Sequence, residues 1–310
     1  MRPENLKTRI FLDSGDPQET REAIKLLGFL DGQTTNPSLI AKNPETAGKK
    51  FSKQEILDFY KGVVQEISGL IPDGSVSIEV YSDAETTSEE MLAQAREFYG
   101  WITPPSRLRR GFGGQAVPPP QGEGGKRGGA HIKYPTTAEG LVAAERSIKE
   151  GMRVNMTLCF SQEQAAAVYA ATRGAQKGQV FVSPFVGRLD DRGENGMDLI
   201  ANIMQMYKAG DGHVEVLTAS VRNMKHMHRA IELGSDIITA PLKVLKEWNT
   251  SPPPHPNPLL SKEREKGEVL RPIPYTQLDL DKDWQEFNII HDLTDKGIEK
   301  FSQDWNSLIA

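Results

Sequence analysis

Residues 130–160 read "AHIKYPTTAEGLVAAERSIKEGMRVNMTLCF". A short apolar stretch, AHIKYP, stops at a proline and carries one lysine. An amphipathic helix follows, opening on a Thr cap and closing on Gly151. A second strand-like stretch, RVNMTLCF, completes the unit. Strand, helix and strand in this order is the repeating element of a parallel α/β sheet.

The unit recurs in both directions. Upstream lie the strand candidates TRIFLD, GFLDGQTT and SVSIEVYS; downstream lie QVFVSPFV, HVEVLTAS and SDIITAP. Between them run helical stretches with recognisable ends. PQETREAIKLLG opens with Pro and acids and closes on Gly, SQEQAAAVYAATRG starts with a capping-box pattern, and NMKHMHRAIELG stops at Gly. Eight strands, seven intervening helical regions and a helical tail over residues 291–310 predict one α/β domain across residues 1–310, a (β/α)8 TIM barrel. A doubly wound open sheet is the alternative. It would carry a glycine-rich phosphate loop after the first strand, and IFLDSGDPQE is not one.

Two segments stand apart from this rhythm. Residues 104–130 hold eight glycines and five prolines with a formal charge of +4, and residues 251–272 hold six prolines. Neither has helical or alternating apolar periodicity, so both read as insertions that cannot repay their own ordering entropy. The first precedes the AHIKYP strand and so belongs at that strand's N-terminal end, opposite the face where barrels place their active sites. Its basic residues leave open a nucleic-acid or partner-binding arm as the sharper reading, against a surface loop as the plainer one.

The net charge of −5 argues against a general nucleic-acid binder. No apolar run approaches the length of a membrane span, and the N-terminus lacks an apolar signal core. The lone cysteine, Cys159, excludes an internal disulfide framework and a Cys-rich zinc site. A cytoplasmic protein with no membrane partner fits these features.

Polar residues in otherwise apolar barrel strands are the ones to question. The first strand ends at Asp13, and the second in TTNPS with Thr34, Thr35 and Asn36. The third carries Glu79 and the fourth Lys133. The fifth carries Asn155 and Thr157, the sixth Ser183 and Phe185 followed by Arg188, and the seventh ends in Ser220 and Arg222. Each alone has a plain structural reading. Asp13 can cap a helix, Asn36 can serve a turn, Glu79 and Lys133 can be a structural ion pair, and Arg188 can pair with Asp190 or Asp191. Together they read as a site, because buried unpaired charges cost several kcal/mol each. Strict alternation puts Cys159 on the same face as Asn155 and Thr157, although a packed core cysteine is the better reading.

A lysine in a barrel interior loses hydration, which favours the neutral, nucleophilic amine. Such an amine forms a Schiff base with a ketone, and the iminium then withdraws electrons from the neighbouring C–C bond. No cofactor is required, and no convincing metal-ligand set is present; His226 and His228 fall on a helical stretch and read as surface or packing residues. Asp13 and Glu79 are the candidate proton shuttles, with Thr157 able to hold a water. Arg188 and Arg222 suit a phosphate, since guanidinium binds its oxygens bidentately, and Ser220 adds a hydroxyl. Site logic thus reaches a class I aldolase-type enzyme acting on a sugar phosphate.

DGQTTNPSLI resembles the signature near the start of transaldolases, and HIKYPTTAEGL resembles the strand that carries their Schiff-base lysine. VNMTLCFSQEQA, SPFVGRLDD and LTASVRN are similar to the family's fifth, sixth and seventh strands. HDLTDKGIEKFSQDW resembles the C-terminal helix of the small transaldolase and fructose-6-phosphate aldolase group. The match omits the two insertions and roughly residues 273–290. The resemblance implies that Lys133 forms the imine, that Asp13 moves the proton during C–C cleavage, and that Glu79 and Thr157 bracket a catalytic water. It implies that Asn36, Asn155 and Ser183 hold the dihydroxyacetone hydroxyls, near Thr34 and Phe185, and that Arg188, Ser220 and Arg222 hold the phosphate. The implied reaction is transfer of dihydroxyacetone from sedoheptulose 7-phosphate to glyceraldehyde 3-phosphate, within the pentose phosphate pathway, in a homo-oligomer of pentameric or decameric rings. Fructose-6-phosphate aldolase is the close alternative. Its members carry glutamine where this chain has Glu79 and tyrosine where it has Phe185, which favours the transferase. A catalytically silent barrel serving as a binding protein is the alternative of another class.

Overall fold

Each strand of the barrel is a short run whose residues are almost all buried, the pattern expected when helices cover one face and the barrel interior fills the other. In the computed structural model, which describes residues 2–102, 109–110, 116–117, 128–250 and 270–310, eight parallel strands close on themselves. They are β1 (Arg9–Asp13), β2 (Gly32–Thr34), β3 (Ser75–Glu79), β4 (Gly129–Pro135), β5 (Val154–Cys159), β6 (Val180–Pro184), β7 (Val214–Thr218) and β8 (Ile237–Ala240). β1 pairs with both β2 and β8, which closes the barrel.

Helices alternate with these strands: α1 (Pro17–Leu27), α2 (Pro37–Ala41), α3 (Lys53–Leu70), α4 (Ser88–Ile102), α5 (Ala138–Lys149), α6 (Gln162–Ala171), α7 (Val186–Asp190), α8 (Gly196–Tyr207), α9 (Met224–Leu233), α10 (Leu242–Thr250) and α11 (Asp292–Asn306). Their ends follow the local chemistry. Asp16 caps α1 with Pro17 in the first turn, and Gly28 ends it at φ 75°. Thr137 caps α5 by accepting from the Gly140 N–H at 3.2 Å. Ser161 caps α6, but the capping box is incomplete: Gln164 Oε1 accepts from the Phe160 N–H at 2.7 Å and not from that of Ser161.

The tilt of the strands sets which residues share a level. Glu79, Lys133 and Asn155 are lateral neighbours on β3, β4 and β5. Asp13, Thr34 and Ser77 are neighbours on β1, β2 and β3. Alternation fails in one place. The β5–β6 register shifts between Met156 and Cys159, with Leu158 at φ 56°, a bulge that re-aims the strand's end. Cys159 is therefore turned away from the face of Thr157. It packs fully buried, and burial pushes its thiol up to about 12.

Most of the two insertions lies outside the described residues, and the described parts adjust their edges. Arg109–Arg110 pair antiparallel with Ala116–Val117. Gly129 and Ala130 belong to β4. Arg271 is joined to the chain before α8, its N–H donating to Gly193 O at 2.7 Å. Residues 270–291 then run along the outside of α8 and α6. Asn202 Nδ2 reaches Ile273 O at 2.9 Å and Gln164 Nε2 reaches Ile289 O at 3.0 Å. The helix expected over 291–310 is α11, with His291 as its cap, and it packs against α2 across the C-terminal end of the barrel. No helix among the described residues is long and apolar enough to cross a membrane.

Candidate active site

The C-terminal end of the barrel holds a cavity of about 260 Å³, the place where βα-loops build active sites in this architecture. Of the residues singled out from sequence, Asp13, Thr34, Asn36, Lys133, Thr157, Ser183, Phe185, Arg188 and Ser220 line it. Thr35, Glu79, Asn155 and Arg222 do not.

Lys133 lies at the inner end, 3 % exposed. Its Nζ is 2.8 Å from Glu79 Oε2, and it donates to Thr35 O at 3.1 Å. The structural ion pair considered from sequence is thus present, with Glu79 beside the lysine on the neighbouring strand. Tyr60 on α3 fixes the base of this pair. Its hydroxyl bonds Thr35 Oγ1 at 2.6 Å and accepts from the Glu79 N–H at 3.0 Å. Burial pushes the Glu79 carboxyl above its usual range, with the nearby Lys133 pulling it partly back. Asp13 is raised in the same way by burial, offset by Lys133 and by the Thr34 hydroxyl, which donates at 2.6 Å. Asp13 does not cap α1.

Asn36 does cap α2, its Oδ1 accepting from the Leu39 N–H at 2.9 Å while its side chain also faces the cavity. Asn155 lies under Ser183 in a short buried chain. Ser183 Oγ donates to Asn155 Oδ1 at 2.6 Å, and Asn155 Nδ2 donates to Ser77 Oγ at 3.1 Å. Thr157 Oγ1 is buried with no hydrogen-bond partner, so it can serve a ligand or a water.

The two arginines differ. Arg188 reaches the cavity without an ion pair or hydrogen bond among the described residues, and burial lowers its proton affinity. Arg222 does not line the cavity and forks onto the Asp191 carboxylate, Nη2 to Oδ2 at 2.6 Å. The partner expected for Arg188 is thus taken by Arg222. Asp190 is paired with His226 Nε2 at 2.7 Å, so His226 is a buried packing residue. Ser220 is at φ 57°, a strained conformation for a residue with a side chain.

Sequence reasoning missed one wall. Lys300, Phe301 and Asp304 of α11 line the cavity with Ser38 and Lys42 of the α2 region and Thr239 of β8. Ser38 Oγ donates to Asp304, which also pairs with Lys300 at 2.5 Å. Gly297, Lys300, Phe301 and Asp304 fall at i, i+3, i+4 and i+7, one helix face. Polar residues on that otherwise apolar face were the available signal.

A closed barrel whose mouth gathers a buried lysine, two carboxyls of raised proton affinity, hydroxyls and an uncommitted guanidinium is equipped for polar chemistry on a carbonyl compound. Comparison with known proteins narrows the class. The chain belongs to the transaldolase/fructose-6-phosphate aldolase family, whose model matches residues 10–310. It is 35 % identical over 300 residues to a probable transaldolase of Dehalococcoides mccartyi, covering 97 % of this chain and 99 % of that one. Probable transaldolases of Brucella ovis (33 % identical, 96 % of each chain) and Alkaliphilus metalliredigens (32 %, 97 % and 99 %) are similar over comparable spans. The carboxyl transferase domain of Rhizobium etli pyruvate carboxylase aligns over 78 % of this chain and 41 % of that one, at 9 % identity and a TM-score of 0.42, too distant to carry an argument. The protein is an enzyme of transaldolase/aldolase type.

Proposed function

We propose that the barrel is a transaldolase that carries a dihydroxyacetone unit from a ketose phosphate to an aldose phosphate through a Schiff base on Lys133. The observation that supports this most directly is the 2.8 Å pair of Lys133 and Glu79 at the inner end of the cavity. Glu79 binds its proton more tightly than an ordinary carboxyl, so it can take one from the ammonium and leave a nucleophilic amine.

The amine adds to the ketose carbonyl, and loss of water gives the iminium. Asp13 removes the proton from the C4 hydroxyl. The C3–C4 bond breaks, its electrons flow into the iminium, and the aldose phosphate leaves. The enamine that remains attacks the aldehyde of an acceptor, and Asp13 returns the proton. Water held between Glu79 and the Thr157 hydroxyl relays protons as the imine forms and hydrolyses the imine at the end of the cycle. Ser183 and Asn36 offer hydrogen bonds to the donor's hydroxyls, with Asn155 orienting Ser183. Arg188 and Ser220 receive the phosphate. Arg222 joins them by exchanging the exposed Asp191 carboxylate for it, an exchange made easy because an exposed pair of this kind is worth about 0–1 kcal/mol. Phe185 offers no hydroxyl to hasten protonation of the enamine, which keeps it waiting for an acceptor.

Incubation with fructose 6-phosphate followed by borohydride reduction tests the reading. A dihydroxyacetone adduct on the peptide containing Lys133 supports it, and its absence from folded protein overturns it. Formation of erythrose 4-phosphate from sedoheptulose 7-phosphate and glyceraldehyde 3-phosphate, without free dihydroxyacetone, separates the transferase from an aldolase.

A further inference from the structure

Arg188 is a cation with five N–H donors; Glu79 and Asp191 act on it through space, but no acid among the described residues lies at ion-pair distance. Two aromatic faces hold it instead. Its guanidinium carbon lies 5.4 Å from the ring centre of Phe185, just before α7, and 5.4 Å from that of Phe301 on α11, within the range of a cation–π contact. Both rings are buried and both border the cavity. The helix that supplies Phe301 comes unusually close. A Cβ on Gly297, one turn before Phe301, would lie 2.8 Å from Arg188 Nη1 and 2.6 Å from Leu158 Cδ2.

The arrangement has a chemical consequence. A carboxylate that fixed Arg188 would compete with an incoming anion for the same N–H groups, as Asp191 does at Arg222. A ring face attracts the guanidinium through its π-cloud and leaves the edge donors unoccupied. The cost of ordering the long side chain is then met before the anion arrives.

We propose that Phe301 of α11 is a positioning residue for anion recognition: with Phe185 it clamps the Arg188 guanidinium, and Gly297 supplies the space that lets the clamp close. The proposal rests on the assignment of Arg188 to the substrate phosphate.

The test compares Phe301→Leu, Phe301→Tyr, Gly297→Ala and Arg188→Ala with the native enzyme, after circular dichroism and thermal melts identify the folded variants. KM and kcat for fructose 6-phosphate are measured with the inhibition constant of inorganic phosphate. Non-phosphorylated fructose serves as a control donor, and non-phosphorylated glyceraldehyde is the acceptor in every assay. Phe301→Leu raises KM and the phosphate inhibition constant together by roughly three- to tenfold, the scale of one desolvated cation–π contact. The change falls mainly on KM and is absent with fructose. Phe301→Tyr keeps a ring and restores both constants. Gly297→Ala, which crowds Arg188 without removing a ring, reproduces the KM rise if Phe301→Leu does not fold. An equal loss with fructose, or failure of the tyrosine to restore binding, overturns the clamp. If Arg188→Ala weakens phosphate inhibition while Phe301→Leu and Gly297→Ala leave it unchanged, the clamp is wrong and the phosphate assignment stands. If Arg188→Ala leaves it unchanged, the assignment itself fails.

Discussion

Lys133 and Glu79 can each be read as a structural group or as a catalytic one, and the two readings predict different pH behaviour. In Lys133→Ala the Glu79 carboxyl is left buried without its cation. Breaking a buried pair costs about 3–5 kcal/mol while the remaining charge stays ionised. Burial already holds Glu79 above the usual range, and loss of Lys133 raises it further. The folded variant therefore keeps a proton that the unfolded chain has lost, and stability falls as pH rises from the ordinary carboxylate range through the raised value. Lys133→Ala should be markedly less stable at pH 8 than at pH 5 by denaturant midpoint, and should yield no borohydride adduct. Adding Glu79→Gln should reduce the pH dependence without restoring turnover, the remainder belonging to Asp13, which loses the same cation; a flat profile in Lys133→Ala alone would refute the argument. Asp13 obeys the same sign. Its raised proton affinity means that its ionised form weighs against folding at neutral pH. Asp13→Asn can still accept the Thr34 hydroxyl, so it should be at least as stable as the native chain at pH 7, with the advantage vanishing below the usual aspartate range. Turnover should fall roughly 10²–10⁴-fold, the share of a general acid–base group.

At the scale of elements, the junction of β4 with α5 shows why a barrel strand can hold a lysine so steadily. Gly140, in the first turn of α5, sits against the strand's end: a Cβ there would lie 1.9 Å from Pro135 O. Helix propensity alone favours Gly→Ala by about 1 kcal/mol. Here the contact reverses the sign, because backbone on both sides must move. Gly140→Ala should lower the denaturant midpoint and raise KM for the ketose, since α5 and the Lys133 strand can separate only by shifting one of them; a stabilised variant would show the contact to be soft. Most of the elements were legible in the sequence. Short, apolar, β-branched stretches of six to eight residues gave the strands, and Thr137, Gly28 and Gly234 marked helix ends through cap and left-handed chemistry. The bulge at Leu158 was not legible, since a leucine at φ 56° carries no local signal and strict alternation then misplaces Cys159. Asp191 was legible as an acid near an arginine, but only the turn after β6 decides that Arg222, and not Arg188, reaches it.

For the whole molecule, polar groups of six of the seven strands line one cavity, with Glu79 of β3 reaching it only through Lys133, because a parallel barrel must bring all strand C-termini to one end. The covering of that end was harder to read. Residues 270–291 attach through backbone acceptors such as Ile273 O and Ile289 O and through unevenly spaced apolar side chains, Leu280 and Phe287 buried among them, contacts that leave no regular hydrophobic period. The wall built by α11 depends on where that strap delivers the helix. The same topology puts the chain ends flanking residues 103–127 at the other face. Gly128 is fixed there: a Cβ would lie 2.1 Å from Pro72 O, and its carbonyl accepts from Arg153 Nη2 at 3.1 Å. Gly129 begins β4, with its N–H on Gly74 O at 3.3 Å. Lys133 is four residues further along, about 13 Å at roughly 3.3 Å per residue. Replacing residues 104–127 by a four-residue Gly/Ser turn, and keeping Gly128, should therefore leave kcat, KM and the borohydride adduct unchanged. Stability should not fall, because shortening a connection about sixfold lowers its closure cost by roughly 1.5 kcal/mol. Steady-state kinetics and a thermal melt decide the matter. Loss of turnover in a chain that still folds would mean that the segment reaches round to the mouth of the barrel, and that the separation of this insertion from the catalytic end is wrong.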